Sequence, residues 1–420
     1  MAVETTILPS GLRVVTDAMG GVGTASLNVQ VAVGSRNETL GEHGLSHLIE
    51  HMAFKGTKRR SAFEISEEIE SAGGDLNAAT ATEHTAYQAR VLPEDVGLAL
   101  DILADILTES VFDPEELERE KGVILQEIGA VEDTPDDLVF ELFDTAAFPD
   151  QPIGRPILGH PKSVAKLGAP EISAYLARFY GANSLIVSAA GAIDHAEIAD
   201  AAQKLFAGLS QVAPPAHEPA RYAGGERKTR KSAEQANLVV GFESLSHTHE
   251  DNYAAHIFSS AVGGGMASRL FQEVREKRGL AYSIYTFNWS FADSGLFGFH
   301  AAASPRDCGE LLKVALDCLS ASLDDLTEAE VRRAKAQMKV SLLTALESST
   351  ARAEQIARQT VVFGRVLARA EIVERIDRLT VAQVRAAGLT LLSSAPTLAA
   401  VGPAGRAITA DRVAERLRTG

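Results

Sequence analysis

Hydrophobic positions along this chain recur with two periods, and their alternation predicts its elements. Alternating or continuous apolar runs at residues 26–33, 85–91 and 185–190 predict β-strands. Residues 5–15 predict two short strands on either side of the turn Pro9-Ser10-Gly11. After Pro93 and again after Pro305 the spacing becomes helical, and Pro-x-Asp opens each apolar stripe. Helical spacing also covers residues 116–128 and the proline-free apolar stretch around 47–51. Strands alternating with helices in both halves predict an α+β fold, each domain a mainly antiparallel sheet with helices packed on one face.

The pattern repeats. Pro93, Asp95 and Gly97 match Pro305, Asp307 and Gly309 at an offset of 212. Residues 112–119 and 326–333 both read as a helix N-cap with an acidic first turn, at an offset of 214. Half of the 420-residue chain is 210, so these offsets imply an internal duplication. Residues 211–220 carry three prolines and no periodicity, which predicts an extended linker. The expected domains are 1–213 and 214–420.

Composition narrows the class. A chain of 420 residues exceeds one ordinary core, and 45% hydrophobic with 23% charged residues marks a folded globular protein. No apolar run reaches the roughly 18 residues of a membrane-spanning helix. The N-terminus lacks a basic region and a small-residue cleavage site, so a cytoplasmic location is expected. A net charge of −16 argues against nucleic-acid binding. It fits either a solvated acidic surface or an acidic cavity suited to basic peptides, and charge alone does not choose. Cys308 and Cys318 would lie about 15 Å apart on a helix, too far for a disulfide. Cysteine-rich zinc sites are excluded, so any metal must use histidine and carboxylate.

His47-Leu48-Ile49-Glu50-His51 supplies such a set. Positions i and i+4 share a helix face, so both imidazoles can converge on one ion. Glu50 stays beside that face without having to be a ligand, and H-x-x-E-H is the inverzincin signature. Two histidines and a carboxylate are costly to bury together without a purpose. Catalytic zinc usually takes three protein ligands and leaves a position open. Glu120 and Glu127, seven residues apart on one predicted helix face, could each supply the third. In the second half, His47, Glu50 and His51 correspond to Ser259, Val262 and Gly263, and the glutamates to Ala334 and Ser341. That copy lacks the whole set, as expected if the residues act as a unit.

Over nearly all of its length the chain resembles the pitrilysin/insulinase family of zinc peptidases. The likeness is greatest to the short two-domain branch that contains the mitochondrial processing peptidase subunits and their bacterial relatives. In that family a ligand glutamate follows H-x-x-E-H by about 75 residues. Here 75 residues separate His51 from Glu127, so the resemblance assigns Glu127 as third ligand. It makes Glu120 a glutamate that steadies a ligand, and Glu50 the general base, with one Zn2+ per chain. Residues 73–87 resemble the edge strand on which the family holds peptides as an added strand. This implies substrate contacts at Asn77, Ala78, Ala79 and Thr80, with Phe54 beside the motif. Arg275 and Tyr282 match the family's Arg/Tyr pair, which sits over the zinc and binds the peptide carbonyl and its oxyanion. Gly263-Gly264-Gly265 lacks the P-loop lysine and the dinucleotide spacing, and reads as a helix-terminus loop.

The implied activity is a zinc metalloendopeptidase that cleaves peptides or unfolded, presequence-like segments inside a closed chamber. Long family members close four such domains around the peptide. This chain has two, so a second polypeptide is expected to complete the chamber. One chain carries both the zinc set and the Arg/Tyr pair, so a homodimer is expected, with peptides, basic ones included, as substrates. Neither nucleic acid nor membrane is an expected partner. The alternatives are the catalytic subunit of a heterodimeric processing peptidase, and a non-catalytic structural subunit like the core subunits of a respiratory complex. The intact metal set argues against the last.

Overall fold

The structure is a computed structural model, and it describes residues 3–213, 217–404 and 409–419. Residues 214–216, where the linker and the domain boundary are expected, lie outside the described residues. The chain divides into two compact units. The first comprises Met1–Ile128, Pro156–His217 and Leu343–Leu367, and the second Gly129–Arg155, Glu218–Leu342 and Ala368–Gly420.

In the first unit six strands form one sheet: β1 (Glu4–Ile7), β2 (Arg13–Ala18), β3 (Ala25–Val31), β4 (Asp75–Thr80), β5 (Thr85–Val91) and β6 (Leu185–Gly191). Their order is β1-β2-β6-β3-β5-β4, antiparallel throughout except for the β2/β6 pair. The two-residue period of β3 sorts its side chains. Leu27, Val29 and Val31 enter a core shared with Leu48 and Met52 of α1 (Leu45–Ala53), Ile65 of α2 (Ala62–Ser71) and Ile102 of α3 (Val96–Thr108). Leu117 and Ile124 of α4 (Pro114–Asp133) join the same cluster. Asp113 caps α4 by accepting the Glu115 and Glu116 N–H groups at 2.9 and 3.1 Å, as its acidic first turn predicts. Ser26, Asn28 and Gln30 face the other way, yet they too are buried. The helix Ser349–Phe363 covers them: Ser26 Oγ lies 2.8 Å from Ser349 Oγ, and Ser188 Oγ donates to the Ala353 carbonyl at 2.9 Å.

The second unit holds β7 (Gly225–Thr229), β8 (Ala236–Ser244), β9 (Ala281–Ser290), β10 (Gly295–Ala303) and β11 (Thr397–Val401). Their order is β7-β11-β8-β10-β9, with β7/β11 the parallel pair. This is the order β2-β6-β3-β5-β4 again, with the parallel pair in the same place, so the duplication is one of fold as well as of sequence. On one face α5 (Pro135–Ala147) packs Val139, Phe143 and Ala147 against Val239, Leu296, Ala399 and Val401. On the other, Phe297 meets Phe258 of the helix Asn252–Gly263.

The α+β class and the mainly antiparallel sheets agree with the periodicity. The helix layer, however, is not confined to one face of each sheet. A single helix covers the second face, and it comes from the other half of the sequence: Ser349–Phe363 in the first unit, α5 in the second. The units therefore differ from the contiguous halves 1–213 and 214–420 by this exchange. Residue offsets register a repeat but carry no information about which sheet a given helix covers. No helix among the described residues is long and apolar enough to cross a membrane.

Candidate metal centre

The helix that carries the H-x-x-E-H motif is held at its start from a distance. Gly44 precedes α1 with φ +94°, a conformation that strains any side chain, and it has no side chain to act as a cap. Glu38 takes over this role: its Oε2 accepts the Gly44 N–H at 2.8 Å and its Oε1 the Ser46 N–H at 2.7 Å. Burial pushes the Glu38 carboxyl up to about 7, although these N–H groups pull it down. Nothing local in the sequence marks Glu38, because it acts from six residues ahead of Gly44.

One turn apart on α1, His47 and His51 set their ring centroids 4.6 Å from each other. Glu127 reaches them from α4, its Oε2 lying 3.7 Å from His47 Nε2 and 3.6 Å from His51 Nε2. These distances exceed a hydrogen bond. The Glu127 oxygen is nevertheless buried with no hydrogen-bond partner, and so is His47 Nδ1. Ligand bonds of about 2.0–2.2 Å in a tetrahedron place donor atoms roughly 3.4 Å apart. The three side chains thus offer donors at a separation that suits zinc, and they form a group able to hold an ion. Glu120, also on α4, turns elsewhere: its Oε2 accepts from His51 Nδ1 at 2.8 Å and its Oε1 pairs with Lys55 at 2.8 Å. That bond directs the His51 proton to Nδ1 and leaves Nε2 as the donor atom facing Glu127. Burial pushes Glu120 up, but the bonds from Lys55 and His51 outweigh it and hold the carboxyl below its usual range. Nothing in the sequence singles out Lys55, which lies just past the end of α1.

Burial, and then the charge of His51, hold the His47 imidazole down at about 4. In the unfolded chain it titrates near 6.5. Between these values the unfolded state binds the additional proton at this position, so the contribution of His47 to stability falls as the pH drops from 6.5 towards 4. In metal-free protein that contribution should fall by roughly 3 kcal/mol by pH 4. Chemical denaturation at pH 7 and pH 4.5 measures it: relative to the unsubstituted protein, His47→Gln should shift the change between the two pH values by roughly 2 kcal/mol in favour of the lower pH. The same pH difference in both proteins would refute the assignment.

Glu50 points from α1 towards the sheet edge, where Thr80 Oγ1 donates to its Oε2 at 2.6 Å. Thr80 ends β4, the outermost strand of the sheet, so among the described residues one backbone edge of β4 has no strand partner. Along β4 the side chains of Asn77 and Ala79 are exposed, while those of Ala78 and Thr80 are half-buried. Phe54 closes the end of α1 and packs partly against the core.

Arg275 and Tyr282 belong to the second unit, described by itself. Residues Phe271–Glu276 form a π-helical turn, a local widening that recurs at functional positions. The guanidinium of Arg275 lies 4.7 Å from the Phe271 ring centroid and 4.9 Å from that of Tyr282. Tyr282, on β9, is 77% exposed. The structure thus brings these two residues together, Arg275 half-buried and Tyr282 exposed. The same unit explains why its copy of the motif is empty. Gly263, at the position corresponding to His51, packs so closely that a Cβ would stand 2.4 Å from Thr286 Cγ2. No imidazole fits there. Gly264 caps the helix that ends at Gly263, as the helix-terminus reading expects.

Comparisons with known proteins show which family the chain resembles. Residues 13–161 match the model of the insulinase family, peptidase family M16, and residues 166–338 match that of the M16 inactive domain. A protein of Streptomyces coelicolor described as an uncharacterized zinc protease is 38% identical over 411 residues, covering 96% of this chain and 90% of its own. A protease from Helicobacter pylori has the same fold, with TM-score 0.88 and 22% identity over 96% of this chain and 99% of that one. A chain of complex III2 from Candida albicans, solved with Inz-5 bound, superposes with TM-score 0.87 at 22% identity, covering 99% of this chain and all of that one. With the Streptomyces coelicolor relative 38% identical over 96% of this chain, the protein belongs to the insulinase family of peptidases, M16.

Proposed function

We propose that this chain is a zinc-dependent endopeptidase acting on extended peptides and unfolded, presequence-like segments. In this reading His47, His51 and Glu127 hold one zinc ion per chain. One observation carries it: a buried Glu127 oxygen without a hydrogen-bond partner faces two imidazole nitrogens at 3.6 and 3.7 Å. A carboxylate oxygen desolvated in this way costs at least about 1–3 kcal/mol unless a cation meets it. The zinc proteases among its relatives support the identity of that cation. A purely structural subunit, as the fold match with complex III could suggest, gives no reason to keep such an oxygen.

Bound there, zinc would supply Lewis acidity, making a water nucleophilic near neutral pH and polarising the scissile carbonyl. Glu50 takes the proton from the attacking water and passes it to the leaving amine as the C–N bond breaks. The peptide lies against the free edge of β4 as an added strand, so that backbone hydrogen bonds hold many sequences and side chains near Asn77 and Ala79 select among them. Arg275 and Tyr282 present two donors suited to a peptide carbonyl and to the oxyanion formed from it. Because one chain carries both the metal set and the Arg/Tyr pair, the assembly we propose is a homodimer with two active sites.

Zinc content per chain, measured alongside cleavage of a quenched basic peptide with and without a chelator, tests this reading. The expected result is about one zinc per chain, with cleavage falling by about 10²-fold or more on chelation and returning with zinc. Undiminished cleavage by metal-free protein, or no metal uptake, would overturn it.

A further inference from the structure

We infer that Thr80 is a positioning residue for the general base. Its hydroxyl holds one carboxylate oxygen of Glu50, leaves the other free to take the proton, and ties that orientation to the strand on which the peptide docks. This rests on the roles proposed above for Glu50 and β4.

The Thr80 Oγ1 to Glu50 Oε2 distance is 2.6 Å, within the range of a charge-assisted hydroxyl–carboxylate bond. Among the described residues, no hydrogen bond joins Oε1 of Glu50 to the protein. A glutamate carboxylate rotates through a broad, two-fold χ3 well, so a single strong bond decides which oxygen faces outward. Thr80 is itself fixed. It pairs in register with Thr85 of β5, whose hydroxyl donates to the Val33 carbonyl at 3.0 Å. In the proposed reaction the proton moves from water to Oε1 and on to the amine. The hydroxyl of Thr80 keeps its own proton throughout, with Oε2 as acceptor in both states of the carboxyl.

A second acceptor lies within reach of Thr80. The Ser46 carbonyl is 3.4 Å from Thr80 Oγ1, and the shorter bond goes to the glutamate. In the second unit β9 occupies the edge place that β4 has, and Val262 stands where α1 has Glu50. Thr286 of β9 pairs with Phe299 and is therefore not the counterpart of Thr80; its hydroxyl donates to the Ser259 carbonyl at 2.8 Å, an edge-strand threonine bonded to a helix backbone.

Thr80→Val, which keeps the shape and removes the hydroxyl, should lower kcat about tenfold or more, part of the ~10²–10⁴ that a placed base contributes. KM should change less than kcat and zinc content should match the unsubstituted protein, because the substitution keeps the backbone of the strand and touches no ligand. Thr80→Ser should recover to within about threefold, and Thr286→Val should leave kcat unchanged. A kcat within twofold of normal in Thr80→Val, or equal losses in the valine and serine variants, would overturn the inference. A second measurement needs no activity. In metal-free protein the loss of melting temperature caused by Thr80→Val should shrink by at least about half when Glu50 is already leucine. Additive losses would overturn the contact. If the unsubstituted protein shows no chelator-sensitive cleavage, the peptidase reading fails, and this coupling still decides whether Thr80 holds Glu50.

Discussion

Replacing Glu50 by glutamine is expected to lower kcat/KM by about 10³-fold, a barrier increase of about 4 kcal/mol, while metal content stays unchanged. Glutamine has the size and shape of glutamate, and its amide oxygen can still accept the Thr80 hydroxyl that donates at 2.6 Å. It cannot take a proton from water. The ligand atoms proposed on His47, His51 and Glu127 are untouched, so binding and chemistry separate in one variant. Metal analysis and kcat/KM on the same preparation make the check. Turnover within tenfold of normal would remove Glu50 from the role of base.

The second large effect concerns the two glutamates of α4. Zinc sites worth ~10–16 kcal/mol divide into about 3 kcal/mol or more per ligand, so Glu127→Ala should weaken zinc binding by several hundredfold. Glu120→Ala should cost only about 10–100-fold, because it removes the partner of His51 Nδ1 rather than a ligand. The second substitution also strands Lys55, whose ammonium pairs with Glu120 at 2.8 Å, so its cost includes a local rearrangement. Competition against a chelator of known affinity ranks the two variants. Equal losses would erase the distinction, and a greater loss at Glu120 would invert it.

The difference between these glutamates shows where reading along the chain stops. Seven residues apart, they share a face of α4 and lie about 10.5 Å apart along its axis. Helical periodicity therefore treats them alike, and only the resemblance to a family favoured one. The way α4 lies against α1 separates them: Glu127 Oε2 faces both Nε2 atoms, and Glu120 meets Nδ1 of His51. Thr80 is similar. Its place on a peptide-binding strand was legible from its neighbours, but its bond to Glu50 spans thirty residues and leaves no periodic trace.

What the sequence determined by itself is local or repetitive. The strands and helices, the duplication with its constant offset, and two histidines on one helix face all follow from spacings of two, 3.6 and about 212 residues. The loss of the motif from the second copy was equally visible, since it needs only an alignment of the chain with itself. Tertiary structure alone decided which glutamate meets the imidazoles, which helix covers the second face of each sheet, and why Gly263 leaves no room for a histidine beside Thr286. Each of these depends on how separate elements approach one another. Approach is set by packing summed over whole surfaces, and no spacing of residue types along the chain encodes it.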